Sequence, residues 1–450
     1  MRLILNFESN KSSEDSHSIM PFEVYVHVPF CLRRCGYCDF NTYTARDLGE
    51  GASREGYADV AIQEMRLVKK WHEYHGIFEP KAQSVFFGGG TPTVLKARDL
   101  VRILQEIRNL WGFKPGAEIT TEANPDTADE KYIETLAEGG FTRISFGMQS
   151  AVPHVLKTLD RTHTPENVAR GVNAANACGL RSSVDLIYGA PGESIDDWRK
   201  SVEMALSLGV NHVSAYALTV EPRTKMGRQI AAGTIQAPND DDEAAKYELA
   251  DELFSSAGLK WYEISNWART GFESQHNLGY WRNIDWAGIG PGAHSHYNAA
   301  SALSKQSVDS DAKEANPNQE YNLRAWDILH PKRWAQAINA GNVPWQNYEC
   351  INAEDALIEE VMLGLRIREG LNISQLCAKM RETNQVFDDS HLQKVVREVC
   401  KEDLAELHEN RIIATRKGRL LNDLLIERIV DACEEGLTCY NSAYCVSFVQ

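Results

Sequence analysis

The sequence predicts an α/β fold: a parallel sheet, barrel-like or open, covered by helices and followed by a smaller, mostly helical domain. Three observations carry that expectation. Apolar β-type runs alternate with helical-period stretches in series from Phe22 to Leu218, the order from which parallel sheets are built. Polar residues recur where those runs end, and in such folds ligands sit at the carboxyl ends of the strands. Past residue 345 the pattern turns mainly helical.

Phe22 to Val28 reads as the first strand, and Tyr57 to Tyr74 as a helix, with Val60, Ile62, Met65 and Val68 at helical spacing. A short strand at Ser84–Phe87 breaks at Gly88-Gly89-Gly90-Thr91-Pro92, and Leu95 to Trp111 is helical. Strands follow at Glu118–Pro125, Phe141–Gln149, Ser182–Gly189 and Val213–Leu218. Helices over Asp129–Gly139, Asn167–Cys178 and Trp198–Leu208 separate them. A helix over Asp240–Ala257 leads into an aromatic-rich stretch, Trp261–Trp267. Residues 299–320 are small and polar and read as an inserted flexible loop. Further helices are expected over Pro331–Asn339, Ala353–Ile367, Asn372–Met380 and Val395–Glu409. Arg411–Leu421 suggests a two-stranded wing with a glycine turn, closed by a helix over Asp423–Cys433.

The formal net charge of −16 argues against a nucleic-acid binder that works by neutralising phosphates. No apolar run is long enough to span a bilayer. Met1 to Met20 is polar and mixed in charge, and reads as a disordered leader rather than a secretion or transit signal. With no sign of export, the ten cysteines are read as reduced thiols.

One loop carries the strongest chemical signal. Cys31, Cys35 and Cys38 stand at C-x3-C-x2-C spacing directly after the first strand. Three thiolates leave a tetrahedral zinc site one ligand short, but they hold three corners of a [4Fe–4S] cluster and leave the fourth iron open. A zinc knuckle would need His27, on a strand whose alternation equally suits a core role. The Gly88–Pro92 turn lets backbone approach a ligand and offers N–H groups to a carboxylate, though an ordinary strand-to-helix turn explains it as well. Glu122, Gln149, Arg161 and Asp185 each lie at or just past the end of a successive strand. Singly, each reads as a solvated loop residue; in register, they converge on one mouth of the sheet. The carboxylates suit hydroxyl or ammonium donors, and Arg161 suits a carboxylate as a planar fork.

The cysteine spacing resembles the signature of the radical S-adenosylmethionine superfamily. The flanking Tyr25-Val-His27-Val-Pro-Phe-Cys31 narrows the resemblance to its coproporphyrinogen dehydrogenase-like branch, over Phe22 to Leu371 and a similar small C-terminal domain. It implies a partial (β/α)6-type barrel with a winged-helix-like C-terminal domain. It also implies a [4Fe–4S] cluster on Cys31, Cys35 and Cys38, and S-adenosyl-L-methionine held by Tyr25, Gly89, Gly90, Thr91, Glu122, Gln149, Arg161 and Asp185. Tyr37 and Ala217 match positions associated with a second cofactor molecule.

Two features separate members of the branch. Phe40 stands where the coproporphyrinogen dehydrogenases carry a fourth cysteine. His276-Asn277-Leu278-Gly279-Tyr280-Trp281 is similar to the His-Asn-x-x-Tyr-Trp motif of the branch's haem chaperones, which implies haem bound with the help of His276, Asn277, Tyr280 and Trp281. On that resemblance the chain is a haem carrier serving haem-dependent respiratory proteins, with no catalytic residue assigned. The alternative is an oxygen-independent coproporphyrinogen III oxidase, a radical enzyme that decarboxylates propionate side chains. Arg223, where relatives show Gly, and the 299–320 insertion depart from the pattern.

The expected organisation is a leader over 1–20, a core domain over 21–257 and a connecting region over 258–345 that carries the haem motif. A C-terminal domain over 346–432 and a tail over 433–450 complete it, with Cys433, Cys439 and Cys445 read as incidental thiols. The expected setting is the cytoplasm or an organelle matrix. Homodimerisation and peripheral membrane contact are left open.

Overall fold

The computed structural model describes residues 20–437, apart from 50, 76, 78, 299–321 and 384–386. The leader up to residue 19, the 299–320 insertion, Cys439 and Cys445 lie outside the described residues.

Six parallel strands in sequence order form the centre: β1 (Phe22–Val28), β2 (Ala82–Gly89), β3 (Phe113–Ala123), β4 (Arg143–Gln149), β5 (Arg181–Tyr188) and β6 (His212–Ala217). Beyond β6 lie the antiparallel β7 (Lys260–Glu263) and β8 (Asn266–Ala268). On the other flank β9 (Asp285–Ile289) runs parallel to β1, and β10 (His294–Tyr297), β11 (Asn322–Asp327) and β12 (Trp345–Ile351) continue antiparallel. The twelve-stranded order is β12-β11-β10-β9-β1-β2-β3-β4-β5-β6-β8-β7, the expected partial (β/α)6-type barrel with an extension at each edge.

Alternation decides which side of each strand is apolar. On β1, Val24, Val26 and Val28 are fully buried in the main apolar cluster, together with Val85, Phe87, Ile144, Phe146, Val184 and Val213. The helices Tyr57–His75, Ala97–Leu110, Glu130–Glu138, Pro165–Ala177 and Ile195–Ser207 supply its other half. The intervening residues face inward in register: Glu23 opposite Ser84, Ser84 opposite Glu118, Thr120 opposite Arg143, Ser145 opposite Ser183, and Asp185 opposite Ser214. The inner face of the barrel is therefore polar, and its apolar core lies outside it.

A second cluster, including Leu376, Leu392, Val399, Ile412, Leu425 and Ile429, forms the C-terminal core. Its sheet is β13 (Leu371–Asn372), β15 (Arg411–Ala414) and β14 (Ala405–His408), in that order. The wing is present but displaced from the expected place. The helix expected through Glu409 ends at Lys401, and Ala405–His408 pairs with Arg411–Ala414. Asp403 (φ 59°) and Glu409 (φ 53°) make the left-handed turns on either side of β14. Gly418 belongs to a short helix, Arg416–Leu420, where a Cβ would lie 1.7 Å from the Leu404 carbonyl oxygen. Close backbone approach, not a turn, requires that glycine.

Candidate functional site

The cysteine loop is pinned at both ends. The Cys31 N–H donates to the Tyr43 carbonyl at 3.0 Å, and the Tyr43 N–H to Pro29 at 2.7 Å. The Asn41 carbonyl is bonded by His27 Nε2 at 3.0 Å, and Asn41 Nδ2 donates to the carbonyls of Pro291 and Leu329, both at 2.8 Å. Gly90 and Thr91 tie the glycine turn beneath the loop by N–H bonds to Val28 and Phe30, both at 2.8 Å. Gly89 sits at φ +104°, and a Cβ there would meet the His27 ring at 2.5 Å, so only glycine fits without displacement.

Cys31, Cys35 and Cys38 are free thiols lining a cavity of about 650 Å³. Thr91 Oγ1 donates to Cys31 Sγ at 3.6 Å, and Arg161 Nη1 to Cys35 Sγ at 3.2 Å. Burial pushes the Cys31 thiol up to about 11 and raises Cys38 too; such thiols ionise at neutral pH only against a positive centre. Among the described residues, no group of three or more His, Cys, Asp or Glu is placed to hold a single metal ion. A cubane makes a different demand, because each thiolate meets a different iron.

The same cavity is lined by Gly89, Gly90, Thr91, Glu122, Gln149, Arg161 and Asp185, and by Tyr37, Phe40, Ala217 and Asn277. Burial, reinforced by the neighbouring Asp185, pushes the Glu122 carboxyl up to about 8. Burial also raises Asp185, although Ser145 Oγ lies 3.0 and 2.9 Å from its two oxygens. Burial works against the Arg161 charge, but Cys35 and Tyr37 outweigh it and the net shift is upward. Gln149 Oε1 and Arg161 Nε are buried without a hydrogen-bond partner. An orphaned acceptor and an orphaned donor beside one cavity fit a polar ligand that supplies both partners. Asp160, left-handed at φ 56°, is bonded by Arg33 at 3.0 Å and Lys225 at 2.7 Å and so fixes the chain on which Arg161 stands.

Tyr25 and His276 do not reach this cavity. Gln275–Trp281 is a seven-residue helix inserted against the inner face of the barrel. Its first turn is capped by Glu118 Oε1, which accepts from Gln275 N at 3.0 Å and from His276 N and Ser274 Oγ at 3.3 Å. The His276 ring is spent: Nδ1 lies 2.9 Å from Ser84 Oγ and Nε2 lies 3.0 Å from the Tyr280 hydroxyl. Glu23 is 3.6 Å away, and Phe86 and Tyr25 stack on the ring at 5.1 and 6.3 Å. Burial pushes His276 down to about 3, so the ring is neutral. One turn on, Asn277 and Trp281 donate to the buried Glu263 carboxyl. The motif thus divides into two i, i+4 pairs, each seated on its own buried carboxyl. Only Asn277 also lines the cavity, and no ring nitrogen of His276 is open to iron as the chain is folded here.

Sequence reasoning passed over Arg143, Ser145, Ser214 and Tyr216, all on the cavity wall. A usable signal was present: polar residues at every second position of strands whose other positions are apolar.

Residues 25–205 match the family model of the Radical SAM superfamily, and residues 351–421 that of the HemN C-terminal domain. The chain is 39% identical over 411 residues to Heme chaperone HemW of Mycobacterium tuberculosis, covering 91% of this chain and 95% of that protein. It is 29% identical over 404 residues to Heme chaperone HemW of Bacillus subtilis, covering 89% and 96%. Radical S-adenosyl methionine domain-containing protein 1, mitochondrial, of Danio rerio is 30% identical over 378 residues, with 83% and 80% covered. The solved structure of coproporphyrinogen III oxidase (HemN) from Escherichia coli superposes with a TM-score of 0.70 at 21% identity over 92% of this chain and 90% of that one, a likeness of fold. Cysteine loop, polar-lined barrel, small winged domain and 39% identity over 91% of the chain agree: the chain belongs to the heme chaperone HemW family of the radical SAM superfamily.

Proposed function

We propose that the protein is a haem chaperone. It binds haem, carries a [4Fe–4S] cluster on Cys31, Cys35 and Cys38 with S-adenosyl-L-methionine in the adjoining cavity, and passes haem to haem-dependent respiratory proteins in the cytoplasm or an organelle matrix. The observation that carries the cofactor half is the convergence of three free thiols with the unpartnered Gln149 Oε1 and Arg161 Nε on one cavity. The haem half rests on kinship with proteins named for heme. When bound, the cluster would be held by Cys31, Cys35 and Cys38 and would supply one-electron chemistry beside the cofactor. The chain's own residues bind and orient. Gly89, Gly90 and Thr91 offer backbone to the methionine end, and Arg161 faces its carboxylate. Glu122 and Asp185 accept from ribose hydroxyls or the ammonium.

Phe40 favours this reading over the oxidase. It stands 63% exposed where that enzyme's extra cysteine would be and offers no thiol. Among the described residues no helix is long and apolar enough to cross a membrane. The test gives anaerobically reconstituted protein haem and coproporphyrinogen III in parallel. Stable uptake of haem with the porphyrinogen unchanged is expected; conversion to the divinyl product without a haem spectrum would overturn the assignment. Replacing Cys31, Cys35 or Cys38 by Ala should abolish the cluster's visible absorbance, and an intact spectrum in any of the three would remove that residue from the ligand set.

A further inference from the structure

With both ring nitrogens of His276 committed, the haem reading needs another iron ligand, and the inner face of the barrel continues past β1 to where one stands. Trp286 lies opposite Glu23 across β9 and β1, His296 opposite Trp286, Arg324 opposite His296, and Trp326 opposite His294. These residues therefore share the face of Glu23 and Tyr25. The His294 ring is exposed, stacks on Trp326 at 5.8 Å and 23°, and has no hydrogen-bond partner among the described residues. Beside it, His296 stacks on Trp286 at 4.8 Å, fully buried, with the Asn298 side chain against its ring. Asn41, through its bonds to Pro291 and Leu329, joins this face to the cysteine loop. Phe40 and Leu329 stand 63% and 50% exposed beside the junction.

We propose, resting on the haem reading, that a metalloporphyrin seats on this extension of the inner face, with His294 as the axial ligand of its iron. An accessible imidazole backed by an indole, exposed apolar side chains alongside and a cation on the same face are what a flat apolar ring with carboxylate arms requires. Arg324 is that cation. It is bonded at 2.7 Å to Glu349 and at 2.7 Å to Glu359. The Glu349 side chain is 48% exposed, so it is the partner a ring carboxylate would displace. The Gln275–Trp281 helix, which plugs the barrel, abuts the same surface, Tyr280 packing edge-on against Trp286 at 4.8 Å. The motif helix would then shape the site without supplying its ligand.

The test titrates hemin into the full-length, cluster-reconstituted protein and follows the Soret band. His294→Ala should weaken binding about tenfold or more and shift the band, with free imidazole restoring the wild-type position. His294→Met, which keeps an axial donor, should bind more tightly than His294→Ala. Iron-free protoporphyrin separates ligation from stacking: its affinity should be unchanged by His294→Ala and reduced by Trp326→Ala. His154→Ala, an exposed imidazole on the Pro153–Thr158 helix, controls for adventitious ligation and should bind as wild type. His294→Ala with wild-type affinity and an unshifted band would overturn the site while leaving the haem reading standing. A wild type that takes up no hemin would overturn both.

Discussion

Gly90 shows how little room the site leaves at a single residue. A Cβ there would lie 2.7 Å from the Phe30 carbonyl oxygen and 2.9 Å from that of Val28, and both are backbone atoms that cannot rotate away. Gly90→Ala should cost about 1–3 kcal/mol and lower cluster incorporation, read from urea midpoints and from iron bound per chain. Wild-type values for both would mean that the loop is softer than its bonds indicate. At this scale the sequence is most legible where chemistry fixes spacing: the three cysteines are recognisable because thiolates must meet one centre from one short loop. It is least legible where function depends on which way a side chain points. His276 and Asn277 are adjacent, yet only Asn277 lines the cavity. Their orientation follows from Glu118 capping a helix some 156 residues further along the chain.

That helix is the element on which the arrangement turns, and its brevity hid it. Seven residues make about two turns, too few for periodicity to stand out, and Trp261–Trp267 beside it gave only an aromatic run where the chain forms the β7–β8 hairpin. The longer helices and central strands lie close to their expected positions because each turns a mainly apolar face to the core. The wing lies before its expected place because Gly418, a turn residue by sequence, is a point of close packing against Leu404. Since one carboxylate satisfies the first turn of the plug helix, Glu118→Gln should loosen it by about 1–2 kcal/mol. Hydrogen exchange at residues 275–281 should quicken while exchange in β2 holds. Unchanged protection at the helix would show that Glu263 alone retains it.

Across the whole molecule, buried imidazoles and buried carboxyls set opposite pH limits. His276, His163 and His296 are held at about 3, 4 and 4, chiefly by burial, against an ordinary 6.5. The unfolded chain then binds more protons below pH 6.5, so stability falls as pH drops from there towards 3–4. Glu122, Glu64 and Glu263 are held at about 8, 7 and 7, again chiefly by burial, against 4.5. For these the folded chain keeps its protons longer, so the stability they give below pH 4.5 is lost as pH rises to 7–8. Between 4.5 and 6.5 the two sets oppose each other, and urea midpoints should be highest in that window. Each group contributes up to about 1.4 kcal/mol per pH unit between its ordinary and its shifted pKa; a midpoint that climbs steadily to pH 8 would refute this balance.

The polar inner wall has one more consequence. A barrel with its main apolar layer on the outside draws most of its cohesion from one side of the sheet, while the other side holds polar atoms such as Gln149 Oε1 and Arg161 Nε with nothing to bond. Occupancy is then part of the fold's own thermodynamics. Mass action alone gives about 2.7 kcal/mol when a ligand stands a hundredfold above its dissociation constant. The melting temperature should climb with S-adenosylmethionine concentration in wild type, and the climb should shrink in Arg161→Ala. In that sense the vessel is completed by its contents.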